Sequence, residues 1–453
     1  MGDLSLKIVL VGSDHAGIAA ANAILENSDH ELVIIDKSDH ISYIGAGTAL
    51  WVGNKVDDYN NLFYTQPEDL ANKGAKMLMG TNVTRVDYDN KVVYAEAKDG
   101  GEVTESYDKL ILATGSTPIA PNLPGKDLEG IHFLKSFEEG KAVEEAMSNP
   151  DVKRVGIIGA GYIGVEIAEG VRLRGKEVVI FDAEQHSLMN YYDEEFAVLM
   201  DENLRKNGLE TQFGELAQGY VGNDAGHVTA LKTDKGEYEV DLVINCIGFR
   251  PNATLGGEHI ETFVNGAYLV DAHQRTSDPD VYAIGDCATV YSNAQDKTGY
   301  IALASNAIRS GLIAGSNLAG IEMKSPGVQG SNGIAIFDLN LVSTGISVRA
   351  AARFGVEVDY VDFEDTQIDP CIKNHENGKV KTRIVWEKDS RRIVGAQFAS
   401  ELNISMIIHM FSLAIEQKYT IDQLQLLDLF YLPHFNKPHN YITMAALKAN
   451  KKD

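Results

Sequence analysis

The stretch Arg154–Asp182, RVGIIGAGYIGVEIAEGVRLRGKEVVIFD, decides the fold. Val155, Ile157 and Ile158 make the short β-branched run of a buried parallel strand. Gly159-Ala160-Gly161-Tyr162-Ile163-Gly164 follows directly. Ile163, Ile167 and Val171 then recur at helical spacing until Gly175, which predicts a C-terminal stop. A second apolar run, Val178 to Phe181, ends in Asp182, 18 residues beyond Gly164. Strand, G-x-G-x-x-G, helix, strand and acid, in that order, are the context a dinucleotide-binding turn requires. Gly159 permits the tight turn, Gly161 lets the backbone approach a pyrophosphate, and Gly164 lets helix and strand pack closely. The helix N-terminus adds free N–H groups and the positive end of the helix dipole. Asp182 can accept hydrogen bonds from ribose hydroxyls and would repel a 2′-phosphate, which favours NADH over NADPH. A glycine-rich turn without a ligand would not need all of these parts. The chain is expected to bind a dinucleotide.

Toward the N-terminus the same grammar repeats. Lys7 to Val11 reads as a strand running into Gly12-Ser13-Asp14-His15-Ala16-Gly17, followed by a helix to about Asn27. The strand Glu31 to Ile35 then ends at Asp36, 19 residues after Gly17. Asp14 stands where the middle glycine would be, an awkward neighbour for a pyrophosphate. His15 falls in the first helical turn, either as a polar residue at a helix start or as an imidazole facing the reactive centre. Next, Ile41-Ser42-Tyr43-Ile44-Gly45-Ala46-Gly47-Thr48-Ala49-Leu50-Trp51 reads as a turn leading into a buried helix, with Ser42, Tyr43 and Thr48 its few chemistry-capable side chains.

Further along, residues 83–107 look like short strands joined by charged turns, and Lys109 to Ala113 is a strand leading into Thr114-Gly115-Ser116. Pro118, Pro121 and Pro124 place a domain boundary near 119. The strand Leu242 to Cys246 leads into Gly248-Phe249-Arg250-Pro251-Asn252, and Val281 to Ile284 delivers Gly285-Asp286 at a strand's carboxyl end. Ligands of α/β sheets sit there, so Asp286 is expected to contact one rather than serve only as a turn residue. Beyond 330, Lys381 to Glu387 and Arg392 to Phe398 alternate around Lys388-Asp389-Ser390-Arg391 as a β-hairpin, followed by helices, which predicts an α+β domain.

Composition bounds the rest. A chain of 453 residues with 44% hydrophobic residues and 42 glycines suits an α/β protein of about three domains. A net charge of −25 argues against a nucleic-acid or anionic-membrane partner. Cys246, Cys287 and Cys371 lack metal-ligand spacing and make no disulfide framework, so no metal and a reducing cytoplasm are expected. No signal peptide is expected ahead of Leu6, and Met1-Gly2 lacks the Ser or Thr at position 6 that myristoylation wants. Ile404 to Ile415 is too short to span a bilayer and reads as a buried helix.

Two dinucleotide folds on one chain need two ligands, and the economical pairing is a nicotinamide donor with a flavin. The chain resembles the FAD-dependent pyridine nucleotide-disulfide oxidoreductase superfamily, and within it the NADH oxidase and NADH peroxidase branch, closest in texture to the water-forming oxidases. The resemblance runs over nearly the whole length: GSDHAG, LILATGS, IGAGYIGVE, GFRPN, VYAIGDCA, YIALASNA, GVQGSNG and LPHFNKP. It implies two Rossmann-like domains and a C-terminal α+β dimerisation domain: FAD over residues 1–118 and 251–328, NADH over 119–250, and dimerisation over 329–453. It implies non-covalent FAD, NADH as co-substrate, O2 as acceptor and a homodimer. By position, Gly12 and Gly17 would cradle the flavin's pyrophosphate, with Asp36 on its ribose, Lys37 alongside and Ala16 a further FAD contact. Thr114, Gly115, Lys135, Asp286, Ala302, Leu303 and Ala304 match further FAD contacts. Gly159, Gly161, Tyr162, Ile163, Gly164, Asp182, Tyr191, Gly248 and Gly333 match NADH contacts, Tyr162 as the tyrosine that covers the nicotinamide pocket. His15 matches the active-site histidine.

One position departs from the pattern. The family carries a redox cysteine in the turn ISFL-x-C-G, and here that turn reads Ile41-Ser42-Tyr43-Ile44-Gly45-Ala46-Gly47, with Ala46 in the cysteine's place. In the family the thiolate reduces peroxide and is regenerated by a second NADH. A methyl group does neither. Cys287, beside Asp286, is expected as a small buried residue. The resemblance therefore implies an NADH oxidase whose Ala46 form releases H2O2. The alternatives are a variant NADH peroxidase or coenzyme A-disulfide reductase, against which Ala46 counts, and a non-catalytic NADH-sensing flavoprotein.

Overall fold

The structure, a computed structural model, describes residues 5–373 and 377–450; Met1 and Gly2, and with them the myristoylation reading, lie outside the described residues. Both nucleotide units form as the patterns predict. Lys7–Val11, His15–Asn27 and Glu31–Ile35 make the first βαβ unit, and Arg154–Ile158, Tyr162–Leu173 and Glu177–Asp182 the second. The first lies in a five-stranded parallel sheet in the order Val281–Ala283, Lys109–Leu112, Lys7–Val11, Glu31–Ile35, Lys76–Leu78. The second lies in another, ordered Glu210–Phe213, Glu177–Asp182, Arg154–Ile158, Leu242–Asn245, Ile131–Phe133. Ile8 to Leu10 and Val178 to Phe181 are buried on both faces, which is why their apolar runs are continuous rather than alternating.

Residues 81–106 form a three-stranded antiparallel sheet as expected. Ser116–Pro118 pairs antiparallel with Phe249–Pro251, so the two passages of the chain between the parallel sheets run side by side. The C-terminal sheet is antiparallel, ordered Asn332–Ile336, Leu339–Gly345, Ile393–Ser400, Lys379–Glu387, Val358–Thr366. Its hairpin turns through Arg391 at φ 56°, and three helices follow.

Two elements differ from the sequence expectation. The apolar stretch 404–415 is only half buried: in the helix Ile407–Glu416, Ile408, Phe411 and Ile415 face the core, while Leu413 is 59% exposed and Met406, just before it, 75%. The helical period of 100° per residue sends Leu413 away from the others, and the apolar run alone did not reveal that. The helix Ala304–Leu318 has no counterpart in the sequence expectation, which names Ala304 only as a flavin contact. It packs on His15–Asn27 so closely that a Cβ on Gly311 would stand 2.1 Å from the Ala16 carbonyl oxygen, and one on Gly315 2.5 Å from that of Ala20. No helix of the described residues is long and apolar enough to cross a membrane.

Candidate active site

The two glycine turns are built alike. Gly12 (φ 98°) and Gly159 (φ 101°) donate their N–H groups to the carbonyls of Ile35 and Phe181, at 2.9 and 2.8 Å. A Cβ on Gly17 would stand 2.1 Å from the Gly12 oxygen, and one on Gly164 1.8 Å from that of Gly159. The acids that end the second strands tie back to the turns. Asp36 accepts from the backbone N–H and hydroxyl of Ser13, both at 2.7 Å, and from the Ser38 N–H at 2.8 Å. Asp182 accepts from the N–H groups of Ala160 (2.6 Å) and Glu184 (2.8 Å), and burial raises its carboxyl above the usual range. A carboxylate has about four lone-pair positions, so each acid keeps capacity for ribose hydroxyls.

Asp14 fits this frame. It and Gly161 occupy the same N-cap conformation, φ −91° and −75°, neither needing glycine. A Cβ on Gly161 would meet nothing within 4 Å. The middle glycine is thus a matter of room for a ligand, not of backbone strain. Asp14 is exposed to the cleft, where partial desolvation by the surrounding protein raises its carboxyl, with His15 opposing.

Both turns open on one cleft of about 1620 Å³. Three helices, beginning at His15, Tyr162 and Ala304, present their N-termini there with no side-chain cap and no acid in the first turn. Uncapped N–H groups at positive dipole ends suit the phosphates of two dinucleotides, and the volume suits both at once. The residues present therefore fit FAD and NADH.

Every residue expected at the flavin, Gly12, His15, Ala16, Gly17, Asp36, Lys37, Thr114, Gly115, Lys135, Asp286, Ala302, Leu303 and Ala304, lines this cleft. So do Gly159, Gly161, Tyr162, Ile163, Asp182, Tyr191, Gly248, Gly333 and Ala46. Gly164 does not; it sits behind Gly159, where its missing side chain serves packing. Asp286 accepts from the Ser116 hydroxyl at 2.8 Å and lies 3.4 Å from the Lys135 ammonium, which itself sits over the Phe249 ring.

Ala46 is exposed in a short 3₁₀ turn, Gly45–Gly47. That turn is fastened to a distant segment. The Ser42 hydroxyl, at a residue with φ 69°, accepts from the N–H groups of Tyr64 and Thr65 and donates to the Thr65 carbonyl. Tyr64 in turn holds His15, its hydroxyl 3.0 Å from Nδ1 and its ring stacked at 5.6 Å. Ala46 and the imidazole thus belong to one connected wall. Cys287 is fully buried, its single S–H within reach of the carbonyls of Leu112 and Ile284, and burial raises it. Cys246 lines the cleft, but burial pushes its thiol up to about 12, so it is no nucleophile at neutral pH.

Sequence reasoning missed three site residues. Tyr64 carries no motif and comes to His15 only through the fold. Glu166, one turn beyond Tyr162, lines the cleft; burial, with Glu169 adding, raises it to about 7. Asn332 accepts a hydrogen bond from the Tyr162 hydroxyl. Two of them had a signal: Glu166 is an acid on the cleft-facing side of its helix, and Asn332 lies within the quoted stretch GVQGSNG.

Residues 6–311 match the pyridine nucleotide-disulphide oxidoreductase family, and 332–440 match the dimerisation domain of the pyridine nucleotide-disulphide oxidoreductases. The chain belongs to this family. It is 56% identical to the NADH oxidase of Lactococcus lactis subsp. cremoris over 446 residues, covering 98% of this chain and 100% of that one. It is also similar to the structure of the water-forming NADH oxidase of Lactobacillus brevis bound to NADH, with a TM-score of 0.95, 36% identity and 98% of each chain covered. The NAD-dependent persulfide reductase of A. fulgidus shares the fold at a TM-score of 0.93 and 27% identity, over 98% of this chain and 83% of that one.

Proposed function

We propose that the protein is an FAD-dependent NADH oxidase that, with alanine at position 46, releases H2O2. The observation that carries this reading is the single cleft onto which both glycine turns, His15 and Ala46 open. The likeness to the Lactococcus and Lactobacillus enzymes supports the oxidase reaction. Residues 1–118 and 251–328 form the proposed FAD domain, 119–250 the NADH domain and 329–453 the dimerisation domain of a homodimer. The unpaired cysteines support a cytoplasmic site.

When bound, FAD supplies the electron relay, accepting hydride from NADH and passing two electrons to O2. The chain supplies position and charge. The helix N-termini at His15 and Tyr162 would hold the two pyrophosphates, Asp36 and Asp182 the adenosine riboses, and Asp286 with Lys135 the flavin's ribityl region. Stacked on Tyr64, His15 has a fixed place beside the cleft. One NADH, one proton and one O2 then give NAD⁺ and H2O2. The reduction of H2O2 to water needs a nucleophile, and Ala46 offers none.

Under air, the ratio of H2O2 formed to NADH consumed should approach one, and thiol reagents should leave oxidase activity intact. Ala46→Cys should convert the product to water, and adding His15→Ala should slow peroxide reduction far more than NADH oxidation. Complete reduction to water by the unaltered chain, with no peroxide trapped, would overturn the assignment of the site. A protein that consumes no NADH in air would instead be a sensor.

A further inference from the structure

We propose that Asn332 and Tyr192 are positioning residues for Tyr162, a tether by which the C-terminal domain fixes an aromatic wall of the NADH side of the cleft. The inference rests on the reading of that cleft as the NADH site. Tyr162 is the first residue of its helix, directly after the Gly161 cap, and lines the cleft. Its hydroxyl donates to Asn332 Oδ1, which lies in a different domain. Asn332 opens the strand Asn332–Ile336 and pairs across the sheet with Ser343, whose hydroxyl donates to the same Oδ1 at 3.0 Å. Its Nδ2 donates to the Gly330 carbonyl at 2.7 Å, which fixes the orientation of the amide and turns the oxygen toward the tyrosine.

Tyr192 completes the arrangement. It is fully buried, and its hydroxyl stands 2.8 Å from that of Tyr162 and 3.5 Å from Asn332 Oδ1. The Tyr162 hydroxyl spends its single proton on Asn332, so Tyr192 donates to Tyr162, with Asn332 Oδ1 a longer second acceptor. The neighbouring Tyr191 ring packs on Tyr162 with centroids 4.4 Å apart.

The mounting is stiff. Asp193 accepts from the Gln397 side chain at 2.7 Å and from the backbone N–H groups of Val348 and Arg349, and it lies 3.2 Å from the guanidinium of Arg383, 2% exposed. Glu195 and Asp362 take the remaining Arg383 donors. The Tyr191-Tyr192-Asp193 corner is therefore locked to the C-terminal sheet. The Tyr162 ring cannot leave the wall without breaking hydrogen bonds to the buried Tyr192 and the half-buried Asn332 on that mounting.

The test is a double-mutant cycle on the FAD-loaded dimer. NAD⁺ affinity is read by calorimetry, and the rates of anaerobic flavin reduction by NADH and of reoxidation by O2 by stopped flow. Asn332→Leu and Tyr192→Phe should each shift the NAD⁺ Kd at least threefold, in the direction set by Tyr162→Phe, and leave reoxidation unchanged. In the Tyr162→Phe background, Asn332→Leu should add nothing. Independent, multiplying effects, or singles with normal Kd, overturn the tether. Tyr192→Phe removes only one hydroxyl and keeps the test open if Asn332→Leu fails to fold. Wild-type protein that binds no NAD⁺ overturns the NADH reading and the tether with it, whereas normal wild-type binding with unaltered variants overturns the tether alone.

Discussion

Asp182 spends two of its lone pairs on the glycine turn and has capacity left for a ribose. Replacing it by alanine should narrow the preference for NADH over NADPH, read as a ratio of kcat/KM, by about tenfold or more, the worth of one or two hydrogen bonds to a charged group. Asp182→Asn, which keeps an acceptor for the turn, controls for loosening of the loop. An unchanged ratio in both would place the ribose elsewhere. Glu166 predicts a pH effect. Burial raises its carboxyl to about 7, whereas in the unfolded chain it titrates near the ordinary ~4.3. Between those values the folded protein holds a proton that the unfolded chain has released. The stabilisation is whole below about pH 4 and is lost as pH rises through about 7, on the order of 3 kcal/mol in total. Glu166→Gln should therefore gain stability over the parent at pH 8 and little at pH 5, measured as urea midpoints without added nucleotide. Equal differences at both values would mean that Glu166 does not titrate there.

At the scale of one element, the turn into the helix Tyr162–Leu173 assigns different work to its glycines. A methyl at Gly161 meets nothing within 4 Å and sits at φ −75°, so Gly161→Ala should change stability by less than about 1 kcal/mol. It fills the space a pyrophosphate would occupy and should still weaken NADH binding by tenfold or more. A methyl at Gly164 would lie 1.8 Å from a backbone oxygen. Gly164→Ala should lower the thermal midpoint by several degrees, the shift of about 2 kcal/mol in a chain of this size. Calorimetry of both variants, with and without NADH, separates the two effects; equal loss of stability would refute the division. The sequence predicted this element almost to the residue, because its periodicity and its glycines respond to the same local sterics. The helix Ala304–Leu318 was less legible: its glycines mark contact with a helix nearly 300 positions away.

For the whole molecule, the stretch 406–435 keeps large apolar side chains in water: Met406 at 75%, Leu413 at 59%, Leu426 at 90%, Phe430 at 68% and Phe435 at 57% exposure. So much apolar surface in one segment marks an interface, and it lies in the region that matches a dimerisation domain. Light scattering at micromolar concentration should give twice the 49.4 kDa chain mass. Phe430→Asp should move the protein toward the monomer, and a monomeric parent protein would refute the expectation.

The sequence by itself determined both nucleotide units, the acids that end them, the hairpin of the third domain and the alanine in the reactive turn. Each of these is written within about 30 consecutive residues, where backbone sterics and side-chain period act locally. Only the tertiary structure decided that His15 would be held by Tyr64, that Tyr162 would be tied to Asn332, and that Glu166 would be buried enough to titrate near neutrality. Those partners stand 49 and 170 positions apart, and the Glu166 shift comes from the low polarity of surroundings assembled by several elements. Contacts of this kind leave no period and no spacing in the chain, since they are fixed by packing after the local elements have formed.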